Sequence, residues 1–177
     1  HPIGMQEHYY YKQLLQDLQL ADSEKAERLE EEVDILIHKL KFIAEDQRPT
    51  VLILNQHQQF AVSYSSAVAD AVSIAGGSLL EHITDNPSIL IIQQQDGSLY
   101  SALPELLQSP ALSRSSAVLN NKVFIIQNQD FNAQTSDAFL VDVETLAEII
   151  QPKYFIYGRN GISWVKFDIL DSTPTLS

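Results

Sequence analysis

The sequence contains no cysteine, which excludes disulfide bonds and thiolate metal sites. Basic residues are scarce, because 11 lysines and arginines stand against 23 acidic residues and give a formal net charge of −12. That balance argues against nucleic acid and anionic membranes as partners, since both are bound by clusters of basic side chains. No apolar stretch approaches the roughly 20 residues that cross a bilayer, so the chain is not expected to be transmembrane. Its 177 residues fit one domain, or one domain with an appendage.

Three short apolar runs each end in a cluster of amide side chains. The runs 51–54, 89–92 and 123–126 are rich in Val and Ile, which predicts strands that are buried on both faces of a parallel sheet. The ligand crevice of an open parallel sheet lies outside the carboxyl ends of its strands, so we expect the clusters to share one binding edge. The residues that follow the runs are Asn55, Gln56, His57, Gln58 and Gln59, then Gln93, Gln94, Gln95 and Asp96, and finally Gln127, Asn128, Gln129 and Asp130.

Amides offer hydrogen-bond donors and acceptors without charge. The clusters therefore suit carbohydrate hydroxyls, amide-bearing cofactors such as corrins, or a polar protein interface; the alternative is that they only keep loops soluble. His57 is a candidate ligand or haem-iron contact, or else a solvated loop histidine. Tyr64 is a candidate for the same crevice, or else a core residue. Asp96 and Asp130 either accept hydrogen bonds from a ligand or cap the next turn.

No catalytic constellation stands out, and the five histidines lack metal-ligand spacing, so the chain is expected to be a binding protein and not an enzyme. A small α/β enzyme is a weaker alternative, for which only His57, Asp96 and Asp130 qualify as general bases.

The rest of the sequence predicts helices and a terminal hairpin. Asn160-Gly161 lies between β-rich runs at 154–157 and 162–167, which indicates two antiparallel strands. The end of the chain, 171–177, is expected to be disordered. Helices are predicted over 7–20, 23–45, 63–75, near 78–83, 101–108, 110–115 and 135–150.

Several segments, taken in order, carry a family resemblance. They are the long helix 23–45, the strand 48–54, the helix end Ala75-Gly76-Gly77, the strand 85–92, the segment 109–126 and the closing segment 151–155. The set resembles the C-terminal lobe of the class III (cluster A) periplasmic binding proteins, which serve ABC transporters for ferric siderophores, haem and cobalamin. We expect an α/β, Rossmann-like parallel sheet flanked by helices, with a long N-terminal helix and a C-terminal antiparallel hairpin.

The resemblance implies a solute-binding module with no covalent cofactor, whose transported ligand is haem, a ferric siderophore or cobalamin. It implies an ABC permease as partner and a periplasmic or extracytoplasmic location, although no signal peptide is visible. The family's N-terminal lobe is missing, the segment 78–86 is short and the hairpin is additional, so binding is expected to need a second copy or a partner lobe. The alternative is an interaction domain that has kept the fold and lost the ligand site, with tail strands that pair by β-augmentation. The expected division is an N-terminal extension at 1–21, the lobe at 22–155 and the tail at 156–177.

Overall fold

The computed structural model describes residues 8–172. The helices are α1 (Tyr9–Ala21), α2 (Ser23–Leu40), α3 (Ser66–Ile74), α4 (Leu99–Leu107), α5 (Ser116–Leu119), α6 (Ser136–Ile150) and α7 (Ile169–Ser172). The strands are β1 (Thr50–Asn55), β2 (Ala61–Val62), β3 (Ser78–Leu79), β4 (Ile89–Gln93), β5 (Val123–Ile126) and β6 (Trp164–Phe167). None of the helices within residues 8–172 has the length and apolar character needed to cross a membrane.

The chain forms two compact units, each built from separate stretches of sequence. The helical unit comprises the residues up to 48 together with 65–78 and 130–159. The sheet unit comprises 49–64, 79–129 and the residues from 160 onward. The expected division at residues 21 and 155 stays a prediction.

The sheet unit is built on a six-stranded sheet in the order β2-β1-β4-β5-β6, with β3 paired to β1 off this path. Strands β1, β4 and β5 are parallel, whereas β2 and β6 are antiparallel to their neighbours. This mixed, mostly parallel sheet confirms the predicted α/β class. The three apolar runs are the three parallel strands, and they are buried along their length as expected.

Both faces of the parallel strands are buried, and their pairing register determines where the strands end. Leu52, Leu54, Leu90 and Ile92 are fully buried in one core, which also contains residues of β5, α4 and α5. Each buried Leu or Ile contributes about 1.5–3 kcal/mol. In the observed register Asn55 lies opposite Gln93, so the apolar runs of β1 and β4 end at the same level of the sheet.

The helical unit is held by apolar stripes and side-chain caps. One face of α2 is buried through Leu29, Val33, Leu36 and Leu40, and Asp22 caps this helix by accepting a hydrogen bond from the Lys25 N–H at 3.1 Å. Helix α1 places the ring of Tyr11 in a stacked arrangement with Phe139 of α6, with centroids 5.7 Å apart. Most of α6 is buried, including three acidic residues, Asp142, Glu144 and Glu148.

The predicted terminal hairpin is wrong, because residues 154–157 form no strand. Instead, Glu148 accepts hydrogen bonds from the backbone N–H groups of Tyr157 and Gly158, and these groups are then not available to a strand partner. Strand β6 pairs antiparallel with β5, where Trp164 meets Phe124 edge-on at 5.8 Å. Long-range pairing and aromatic packing thus outweigh the local Asn-Gly signal.

Three smaller expectations also change. Helix α2 ends at Leu40 and not near 45, residues 78–79 form a strand instead of the start of a helix, and 110–114 is a turn that precedes α5. Residues 171–172 belong to α7, and 173–177 lie outside the described residues, so the expected disorder of 171–177 stays a prediction.

Candidate functional site

The carboxyl ends of β1, β4 and β5 lie side by side. Asn55 pairs with Gln93, and Gln93 pairs with Ile126, so the three amide clusters begin at adjacent positions of the sheet. The Gln94 N–H continues this ladder by donating to the Ile126 carbonyl at 2.9 Å. We call residues 55–59, 93–96 and 127–129 the amide edge.

Gln56 joins the first loop of the amide edge to the second. Its Oε1 accepts hydrogen bonds from the backbone N–H groups of Gln95 at 2.6 Å and Asp96 at 3.1 Å. Its Nε2 donates to Asp96 Oδ1 and to Ser98 Oγ, each at 3.1 Å. Since both ends of the Gln56 amide are engaged inside the protein, this residue positions the loop at the end of β4.

Asp96 is exposed and is held in its ionised form by its surroundings. Hydrogen bonds from the hydroxyl and the backbone N–H of Ser98, with a further one from Gln56, lower the pKa of the Asp96 carboxyl. All of these bonds reach Oδ1, which makes Asp96 the cap of the 96–98 turn. No hydrogen bond to Oδ2 from within residues 8–172 accompanies them, so this oxygen remains an acceptor at the surface.

Gln94 and Gln129 join the second loop to the third. The Gln129 Nε2 donates to the carbonyls of Gln94 and Gln127, each at 3.1 Å, and the Gln94 Nε2 donates to the Asp96 carbonyl at 3.0 Å. Both amides therefore use their donor ends inside the edge. Their Oε1 atoms accept no hydrogen bond from the described part of the chain, which leaves two neutral acceptors for a ligand.

The first loop is a tight reversal that leaves three polar side chains exposed. Gln59 and Phe60 both have left-handed backbones, with φ of 51° and 62°, and the Phe60 N–H returns to the Asn55 carbonyl at 2.9 Å. Left-handed non-glycine residues cost about 1–2 kcal/mol each, and such strain concentrates at functional sites. The reversal exposes the side chains of His57, Gln58 and Gln59 at the edge.

The remaining candidates are placed as follows. Gln93 is buried, and Tyr64 is 49% exposed in the sheet unit. Gln127 and Asn128 are half-buried, and their backbone N–H groups both donate to the Ser163 carbonyl, at 2.8 and 3.2 Å. Asp130 is exposed and belongs to the helical unit.

Ser98 and Ser163 were not among the sequence candidates. Ser98 had a signal in Asp96-Gly97-Ser98, because an aspartate two residues before a polar N–H is typical of an Asx turn. Ser163 contributes only its carbonyl, for which a sequence carries no signal.

Most of the exposed polar groups of the edge are side-chain amides. The edge combines exposed amides, one carboxylate with a free oxygen, and the exposed imidazole of His57. Among residues 8–172, no group of three or more His, Cys, Asp or Glu side chains is arranged to hold a metal ion. The edge is thus suited to a molecule with uncharged polar groups at its periphery.

Neither a protein-family model nor a characterised protein matches this sequence. Solved structures do match, among them an ABC transporter substrate-binding protein from Listeria monocytogenes EGD-e with 19% identity and a TM-score of 0.57, over 78% of this chain and 62% of that one. The Helicobacter pylori CeuE protein in a Ni-His complex has 15% identity and a TM-score of 0.59, over 81% of this chain and 52% of that one. Molybdate-bound MolA of Haemophilus influenzae has 16% identity and a TM-score of 0.57, over 74% and 44%.

The fold of this chain is like that of part of these solute-binding proteins. The chain spans 44–62% of the length of the three matched chains. At these identities the likeness establishes the fold alone.

Proposed function

We propose that the chain is a solute-binding module of an ABC-type uptake system and that its amide edge contacts the solute. The observation that carries the proposal is the hydrogen-bonded edge itself, in which loops from three parallel strands meet where open α/β sheets bind ligands. The shared fold supports the role, since matched proteins hold a Ni-His complex and molybdate. A cognate permease and an extracytoplasmic location follow as parts of the same proposal.

The proposed ligand is a metal complex with a polar periphery, namely cobalamin, a ferric siderophore or haem. A corrin fits best, because its peripheral amides match the exposed amides of Gln58 and Gln95 and the acceptor oxygens of Gln94 and Gln129. The exposed His57 imidazole is the candidate contact for the metal of a corrin or haem.

We further propose that a second copy or a partner lobe closes over the edge. The edge consists of loops whose exposed amides, on their own, would bury one side of a ligand only. The matched structures are longer than this chain, which leaves room in them for such a second part.

The test is a titration with cyanocobalamin, ferrichrome and haem, followed by absorbance and tryptophan fluorescence, with sedimentation in parallel. Trp164 is the only tryptophan, and it pairs with Ile126, directly before the amide at Gln127. Its emission should therefore change when the edge is occupied. Saturable binding with a doubled mass supports closure by a second copy.

Paired variants locate the binding surface. Gln58→Ala with Gln95→Ala removes two exposed amides that hold no loop in place, and should weaken binding at least tenfold. Gln13→Ala with Gln16→Ala removes two exposed amides of α1 and should leave affinity unchanged. The proposal fails if none of the three compounds binds, or if both pairs of substitutions affect binding equally.

A second candidate function is protein interaction through β6. Within the described residues β6 is the last strand of the sheet path, and Lys166 on it is exposed. A strand in this position can accept another strand by β-augmentation. A ligand-independent dimer that Lys166→Pro converts to a monomer would favour this function, whereas a monomeric wild type would rule out pairing between copies.

A further inference from the structure

We propose that the helical unit contains a second binding site, a cavity that takes a small carboxylate with a short apolar chain. The cavity has a volume of about 400 Å³ and lies beside the C-terminal ends of α2 and α3. That volume falls within the roughly 300–1,000 Å³ of small-molecule sites. Nothing in the proposed solute function uses it, since its lining residues all belong to the helical unit and none to the amide edge.

Arg48 lines this cavity and carries its least satisfied polar group. Its guanidinium is half-buried and donates from Nη1 to the Ser73 carbonyl at 2.8 Å, while Nε is buried with no hydrogen-bond partner. The ion pairs found among residues 8–172 are Lys25–Asp137 and Arg159–Glu144, so Arg48 has no carboxylate partner there. A partly desolvated cation without a counter-charge is costly, and a carboxylate satisfies the flat guanidinium edge better than water does.

The other charged groups at the cavity favour an anion. Lys41 lines the cavity, and its ammonium has no hydrogen bond or ion pair within the described residues. His8 also lines it, with Nε2 at 3.1 Å from Ser73 Oγ, and the Asp70 carboxylate acts electrostatically on this histidine. Glu45 is the one carboxylate in the lining. Arg48 and Lys41 thus give the polar end a net positive charge even with His8 neutral.

The apolar lining of the cavity indicates which kind of anion fits. Ile37, Leu40, Ile43 and Ile74 line the same cavity, so the positive end adjoins an aliphatic surface. Inorganic phosphate would pair with the guanidinium but would leave the aliphatic side chains exposed to water. A monocarboxylate with a chain of several carbons satisfies both, because it buries apolar surface at about 25 cal/mol per Å² while it pairs with Arg48.

The alternative role for Arg48 is purely structural. Ser73 lies in the last turn of α3, and basic side chains commonly satisfy carbonyls at helix C-termini. That role uses one guanidinium nitrogen and explains neither the cavity nor Lys41. Binding measurements separate the two roles.

The experiment is calorimetric titration of the full chain with sodium hexanoate, with hexan-1-ol and inorganic phosphate as matched probes. Hexanoate should bind saturably and at least tenfold more tightly than either probe. Arg48→Met should weaken hexanoate binding at least tenfold, whereas Arg114→Met, which changes an exposed arginine outside the cavity, should not. Lys41→Met removes an exposed cation that holds no contact, and should weaken binding severalfold in a folded protein even if the Arg48 variant unfolds.

Each other outcome overturns the proposal. Equal binding of hexan-1-ol means that only the apolar walls act, and equal binding of phosphate means that the walls contribute nothing. Absence of hexanoate binding leaves Arg48 as a helix cap. Insensitivity to Lys41→Met places the carboxylate elsewhere.

Discussion

Gly76 offers the sharpest test of the packing in the helical unit. It follows α3 with φ of +95°, and its N–H donates to the Ser73 carbonyl at 3.1 Å as the helix ends. A Cβ at this position would lie 2.8 Å from Gln151 Cγ and 2.9 Å from Leu40 Cδ1. Leu40 is only 1% exposed, and Gln151 is held by a hydrogen bond from its Nε2 to the Gly76 carbonyl at 3.1 Å, so a Cβ at position 76 would have to displace both side chains.

We expect Gly76→Ala to lower the free energy of unfolding by about 1–4.5 kcal/mol. A left-handed alanine costs about 1–2 kcal/mol, and an overpacked core adds about 1–3 kcal/mol. The lower backbone entropy of alanine in the unfolded chain offsets about 0.4–1 kcal/mol of this sum. Urea unfolding followed by circular dichroism measures the difference.

Gly97→Ala is the matched control, because a Cβ there meets nothing within 4 Å and the backbone is not in the left-handed region. It should change the free energy of unfolding by less than about 0.5 kcal/mol. If the two substitutions changed the free energy of unfolding equally, neither the contacts of the added Cβ with Gln151 and Leu40 nor the left-handed backbone of Gly76 would matter for stability.

Three further predictions concern hydrogen bonds and one buried acid. Glu148→Ala removes the acceptor of three backbone N–H groups and should cost about 2–4 kcal/mol in urea unfolding, whereas Glu31→Ala, on an exposed face, should be nearly neutral. Burial raises the pKa of the Asp142 carboxyl to about 7. Its protonation therefore stabilises the folded state fully below about pH 4, and this contribution to the free energy of unfolding is lost as the pH rises through 7. Asp142→Asn should therefore be more stable than wild type at pH 8, by on the order of 2–3 kcal/mol, and the advantage should shrink toward pH 4; a constant difference across this range would contradict the assignment. Gln56→Ala should cost about 1–2 kcal/mol because it breaks four hydrogen bonds, and Gln58→Ala, which breaks none, should cost less than about 0.5 kcal/mol; thermal unfolding of both variants tests this.

The parallel strands could be predicted because their signal is local. Each of β1, β4 and β5 is a continuous apolar run that ends in polar residues, and burial on both faces requires that pattern. Parallel pairing then brings the three ends together without further information. The α/β class and the position of the amide edge follow from these two facts.

Features that depend on distant partners could not be predicted in this way. Asn160-Gly161 favours a hairpin locally, but β6 pairs with β5, and the backbone N–H groups of residues 157–159 donate hydrogen bonds to Glu148. Likewise, the cavity at Arg48 brings together residues that lie far apart in the sequence, from His8 to Ile74. Such choices are made by tertiary contacts, whose free energies exceed those of local propensities.

The amide edge divides into side chains that build it and side chains that are left to bind. Both ends of the Gln56 amide form hydrogen bonds with the second loop, and the Nε2 groups of Gln94 and Gln129 donate to neighbouring carbonyls. These bonds fix three loops before any ligand arrives, which lowers the ordering entropy that binding must overcome. Gln58, by contrast, is exposed and holds no loop. Loss of Gln56 should therefore weaken binding through a looser edge and lower stability, whereas loss of Gln58 should weaken binding alone, and that contrast separates a built recognition surface from loops that are merely polar.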